Sequence, residues 1–166
     1  YLSDNIEADS HIISCEKIEG HWGVRLDGTL FHPQGGGQLA DVGWINDCQV
    51  LAVEACGEAI HHLVERPLAI GPVRLRVDAK IRSLHARLHS AGHLIGHAGI
   101  AQGLTPIKAQ HWPNASRVVF QCENSQSPDL SAMAWTIEAL IEQNLARNCE
   151  IQNGLRVVGF GQLPVF

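Results

Sequence analysis

Four histidines stand at strict four-residue intervals, at His85, His89, His93 and His97, inside the stretch RSLHARLHSAGHLIGHAG. Four residues carry an α-helix about 40° past a full turn, so neighbours in this series share a face and can turn their imidazoles toward one divalent cation. The outer two, His85 and His97, diverge by about 120° and lie ~18 Å apart along the axis, so one site takes one adjacent pair. His89 and His93 are the pair with small residues between them: Ser90, Ala91 and Gly92. The zinc-protease pattern H-E-x-x-H requires a glutamate general base between its ligands. Here that position holds Ser90, so protease chemistry is disfavoured.

A second unusual segment is Pro33-Gln34-Gly35-Gly36-Gly37-Gln38, followed by Asp41 and Gly43. Consecutive glycines reach positive φ and expose amides to a ligand. The segment lacks the G-K-[ST] ending of a phosphate loop and the G-x-G-x-x-G of a dinucleotide site, so a hairpin turn is the alternative reading. Lys108, in IKAQHW after the histidine helix, is a candidate for holding a carboxylate or phosphate.

These segments need elements to carry them. The first 75 or so residues alternate short apolar runs with Gly, Asp and Asn, which reads as six strands: 11–15, 22–26, 29–31, 42–45, 50–53 and 60–64. A further alternating run, Val73–Val77, leads into Asp78 as the N-cap of a helix from Ala79 to about Gln102, with Gly103 as its stop. The apolar stripe of that helix is Ile81, Leu84, Leu88, Leu94 and Ile95. Strands over 107–112 and 117–122 follow. A second helix is then expected with Ser127 as its cap, Pro128 in its first turn, and Leu130, Met133, Ile137, Ile141 and Leu145 along one face. Leu155–Phe160 reads as the last strand.

The length of 166 residues and 45% apolar content suit one domain or two small ones. The expectation is an α+β protein, with a small barrel over 1–77 and an α+β part over 78–166 whose two main helices pack against an antiparallel sheet. A net charge of −5 argues against a protein that coats nucleic acid generally. It leaves room for a local basic concentration at Arg74, Arg76, Lys80, Arg82 and Arg87. Five scattered cysteines without a C-x-x-C pair point to a reducing, cytoplasmic setting. No apolar run reaches the ~18 residues of a membrane span. The chain opens at Tyr1 without methionine, which admits processing upstream.

FHPQGGGQLADVG resembles the glycine-rich block of alanyl-tRNA synthetase editing domains and their freestanding relatives, and RSLHARLHSAGH is similar to the helix of that family, with its Arg-x-x-His-x-x-x-His-x-x-x-His spacing. Both occur in the family's order, joined by VRLRVDAKIR, and the resemblance extends through IKAQHW to LRVVGFG. It implies a translation-factor-like barrel followed by an editing domain that hydrolyses Ser- or Gly-tRNA(Ala) at a zinc ion. Zinc ligands would fall on His89 and His93, with His85 matching an upstream, non-ligating histidine. Gly35, Gly36, Gly37 and Gln38 would lie near the aminoacylated 3′ end of the tRNA, and Lys108 in a segment lining the pocket. No residue is assigned as a general base. The family's other two ligands come from a C-x-x-x-H motif expected beyond Phe166, and the stretch from Glu150 to Leu155 is short for the family. Two alternatives stay open: an editing domain of a complete synthetase, and a non-catalytic protein that binds the tRNA end with an incomplete metal site.

Overall fold

A computed structural model describes residues 4–57, 59–122, 127–144, 146–152 and 155–160. The chain divides into two compact units within its first long helix, 1–86 and 87–166.

Unit 1 is a closed barrel of six antiparallel strands: β1 (Glu7–Ile18), β2 (His21–Leu26), β3 (Gly43–Ile45), β4 (Cys48–Cys56), β5 (Ala59–Val64) and β6 (Gly71–Val77). Their order around the barrel is β1-β2-β5-β4-β3-β6. Closure pairs every edge, which removes the exposed backbone groups of an open sheet. β6 shows the logic of alternation: Val73, Leu75 and Val77 point inward while Arg74 and Arg76 point out. The core also takes Ile12, Val24, Ile45, Val50, Val53 and Val64.

Thr29–Phe31, expected as a strand, is not one; Gly71–Val77 completes the six instead. The segment's apolar residues are still buried, with Phe31 fully so. Its backbone is held by a side chain and not by a ladder: the Thr29 hydroxyl accepts the Phe31 amide at 3.1 Å and bonds His62 Nε2 at 2.7 Å. Apolar content reports burial, and here burial was met without strand pairing.

The expected basic concentration is largely spent within the barrel. Arg74 pairs with Glu7 and Asp9, each at 2.9 Å, and Arg76 lies 4.3 Å over the Trp44 ring. Arg82 is directed into the barrel, as described below.

Helix α1 spans Ala79–Ile100. Asp78 Oδ1 accepts the amides of Lys80 and Ile81 at 2.9 and 3.0 Å, a cap worth about 1 kcal/mol. At the other end Gly103 has φ 76°, with Gly103 N bonded to Ile100 O and Leu104 N to Gly99 O, the double bond of a Schellman stop. The buried stripe of α1 is not the apolar one. His85, Gly92, Gly96, Ala98 and Gly99 are buried, whereas Leu84 is exposed. Small and imidazole side chains make the inward face because something must approach the helix closely there.

Unit 2 contains two separate hairpins in place of the one sheet expected: β7 (Thr105–Gln110) with β8 (Arg117–Gln121), and β9 (Arg147–Gln152) with β10 (Leu155–Phe160). Each forms from sequence neighbours, and no described strand bridges them. β9 escaped the sequence reading. Helix α2 runs Leu130–Glu142, and its cap is Asp129, whose side chain accepts the Ala132 amide at 3.0 Å. Ser127 is therefore displaced as the cap, and Pro128 precedes the helix. Of the apolar face expected on α2, Met133 is buried while Leu130 and Ile141 are exposed. Leu145 lies outside the described residues.

Candidate functional site

In unit 1 the glycine block is a tight turn. Gly35 N bonds Gln38 O at 3.2 Å and Gln38 N bonds Gly35 O at 2.9 Å. Gly36 and Gly37 between them have φ 55° and 76°. Two successive positive φ values define a type I′ turn, which L side chains resist. The turn thus uses the amides of Gly35 and Gln38 and leaves those of Gly36 and Gly37 outside its own bonding. Gly35 is different: its φ is not in the left-handed region, and a Cβ there would meet nothing within 4 Å. Gly36→Ala is expected to cost about 1–2 kcal/mol of stability, and Gly35→Ala no more than ~0.5 kcal/mol, as read from thermal unfolding.

Asp41 follows this turn and is completely buried. Its carboxylate accepts the His32 amide at 2.6 Å and pairs with Arg82 of α1, whose Nη2 lies 2.5 Å from Oδ2 and whose Nε lies 3.2 Å from the same oxygen. Arg82 also donates to the carbonyls of Leu30 at 2.6 Å and Asn5 at 2.7 Å. The glycine block and the first turns of α1 are therefore bolted together by one charged pair. His85, one turn further along, is buried and its Nδ1 has no partner among the described residues.

In unit 2 α1 carries His89 and His93. Their Nε2 atoms are 2.9 Å apart while the ring centroids are 4.9 Å apart and the planes differ by 19°, so the rings meet edge to edge. Burial pushes His89 down to about 4, and neighbouring His111 and His93 add to the shift. Burial lowers His93 too, followed by His111 and His97. Both are thus neutral at pH 7, the state in which an imidazole nitrogen can donate its lone pair to a metal. Two imidazoles on a tetrahedral zinc have nitrogens about 3.3 Å apart, given Zn–N distances of ~2.0–2.1 Å. The pair fits two positions of such an ion after a small opening. Among the described residues no group of three His, Cys, Asp or Glu side chains is arranged to hold a metal. His97 is half-buried and takes no part in the pair's edge contact.

Lys108 is exposed on β7, opposite Val119 of β8, just past a bulge at Pro106–Lys108. The residue that sequence reasoning passed over is His111, which is 3% exposed and stacks on His89 with centroids 4.5 Å apart. A single histidine after a strand has no periodicity to mark it. The available signal was Gly92, which lies on the same helical face as His89 and leaves room for a ring.

No family model matches the chain. It is 35% identical over 120 residues to the alanyl-tRNA editing protein Aarsd1 of Bos taurus, covering 64% of this chain and 27% of that protein. The mouse Aarsd1 protein is 42% identical over 90 residues, covering 54% of this chain and 21% of the relative. An alanine–tRNA ligase of Chlorobium phaeovibrioides is 32% identical over 111 residues, covering 55% and 12%. The chain thus spans about a quarter of the length of the editing proteins it matches. Likeness to both kinds of protein, on a chain with this glycine turn and this histidine helix, supports a place in the family of alanyl-tRNA editing proteins and the alanine–tRNA ligase editing region.

Proposed function

We propose that this chain is the ester-hydrolysing part of a cytoplasmic trans-editing protein that removes serine or glycine from mischarged tRNA(Ala). The need for such an enzyme is physical. A pocket built for alanine cannot reject glycine by size and gains only a few kcal/mol against serine, so a second site must clear the errors. The observation that carries the reading is the edge-to-edge approach of two neutral imidazoles, His89 and His93, on the helix this family shares.

These two residues would hold zinc together with ligands outside the described residues. Bound there, zinc supplies a Lewis acid for the ester carbonyl or for water. The chain's own groups do the rest. The amides of Gly36 and Gly37 offer hydrogen-bond donors for a ribose oxygen of the tRNA end, and Gln38 an amide for the terminal base. Exposed Lys108 offers a cation to RNA phosphate.

The test is deacylation of Ser-, Gly- and Ala-charged tRNA(Ala) with and without chelator. Hydrolysis of the serine or glycine ester with sparing of the alanine ester is expected, and His93→Ala should lower the rate on the order of 100-fold. Full activity in His93→Ala after chelation would remove zinc from the account. No hydrolysis of any ester, with retained binding of the tRNA end, would leave a non-catalytic binder. Gly35→Ala sharpens the question, since its fold cost is small: a drop in rate at unchanged stability would mark this glycine as a point of ligand approach.

A further inference from the structure

His111 is held on three sides for no reason the fold alone supplies. Its ring bonds the backbone carbonyl of Leu88 on α1. Its face lies on the His89 ring, 4.5 Å between centroids and 22° between planes. Beneath it stands Gly92, where a Cβ would fall 2.1 Å from His111 Cε1 and 2.4 Å from Nδ1. Only glycine at 92 lets the ring sit there. The backbone after His111 is fixed as well, because Ala115 N and the Ser116 hydroxyl both bond the Trp112 carbonyl, at 3.1 and 2.8 Å.

The arrangement differs from that of a third ligand. His89 and His93 address each other through Nε2 atoms 2.9 Å apart, whereas His111 stacks on His89 at 4.5 Å and is 6.4 Å from His93 by centroid. A stacked ring presents its π face and not a lone pair. We propose that His111 is a positioning residue: stacked on His89 and anchored to Leu88, it fixes the His89 ring so that Nε2 faces His93. This rests on the reading of His89 and His93 as a metal pair and deepens it. An aromatic plate against one ligand restricts rotation about its χ2, so the donor atoms are arranged before the cation arrives. Outer-shell groups that fix a ligand's ring by hydrogen bonding are worth roughly 10- to 100-fold in metal affinity, and a stacked ring that fixes the same orientation is expected at the lower end of that range.

The experiment uses the full-length protein, which would carry the two further ligands the resemblance implies, with zinc ion as the only ligand, and three variants. His111→Phe keeps a flat ring and loses the bond to Leu88. His111→Gln keeps a hydrogen-bonding group and loses the ring. His111→Ala loses both. Zinc affinity by chelator competition should fall at least tenfold in His111→Gln and His111→Ala and stay within about threefold of the parent in His111→Phe. In the metal-free protein, ring-proton NOEs between His89 and His93 should persist in His111→Phe and vanish in His111→Gln. Parental zinc affinity in His111→Gln, or persistence of that NOE, overturns the proposal. A parent chain that takes up no zinc overturns the metal reading instead, and the NOE pattern then still decides whether His111 orients His89. Should the alanine variant fail to fold, the comparison of Phe with Gln carries the test.

Discussion

Asp41→Ala is expected to lower the free energy of unfolding by about 3–5 kcal/mol in urea titrations, the cost of leaving a desolvated charge without its partner. The carboxylate is fully buried and the Arg82 side chain is 14% exposed, so solvent can rescue neither well. Arg82 would keep its bonds to the Leu30 and Asn5 carbonyls, which accept hydrogen bonds but carry no formal charge. The His32 amide would lose its acceptor too. Asp41→Asn should fall between the parent and Asp41→Ala, because an amide oxygen can still accept from Arg82 or His32 but not neutralise a guanidinium. The double replacement Asp41→Asn with Arg82→Met should recover part of the loss, since the isolated charge is gone. A cost below ~1 kcal/mol for Asp41→Ala would mean that water reaches Arg82 and that the pair is not the fastener described.

Such a pair could not have been inferred from either segment alone. Asp41 belongs to the glycine block and Arg82 to the histidine helix, 41 residues apart. Each segment was legible by itself because its geometry is local: a triglycine bend, a helix with a capping Asp78, a stop at Gly103. The barrel strands were legible for the same reason, as alternation survives in β6 and in Cys48, Gln49 and Val50 at the start of β4, ahead of its bulge. The failures share a cause. Leu30 and Phe31 are apolar and buried, yet no ladder holds their segment: the Thr29 hydroxyl takes the Phe31 amide and itself bonds the His62 ring of β5, 33 residues on. Glycines stand on the buried face of α1 because the His111 ring comes in over Gly92 and the Phe120 ring over Gly99, and periodicity of apolar residues cannot register a partner that needs empty space. The cap of α2 was misjudged by two residues because Ser127, Pro128 and Asp129 are all acceptable near a helix start, and only the bond from Ala132 N decides among them.

Stability should also fall steeply as the solution is acidified from pH 7 toward pH 4, and His62 should be the largest single cause within the barrel. Its ring is wholly enclosed. Nδ1 donates to the Val24 carbonyl at 3.0 Å, a group that can only accept, so Nε2 is the unprotonated nitrogen and takes the Thr29 hydroxyl at 2.7 Å. No room is left for a second proton without breaking that bond. Burial accordingly pushes the group from 6.5 down to about 4, against the smaller opposing effect of the Val24 bond. The unfolded chain binds the proton near pH 6.5 and the folded chain only near 4, so between these values acid favours unfolding. Stability from His62 is thus fully present above pH 6.5 and drains away as the pH drops toward 4, by about 3 kcal/mol at 1.36 kcal/mol per unit. His85, His89, His93, His97 and His111 are all lowered by burial and add to the same trend. Urea midpoints for the parent and for His62→Gln, each at pH 7.5 and pH 4.5, isolate the barrel contribution, because only the change with pH is compared. The variant should lose roughly 2.5 kcal/mol less than the parent over this interval. Identical losses would show that His62 is protonated no later in the folded chain than in the unfolded one, and the bond from Thr29 would then have to run the other way.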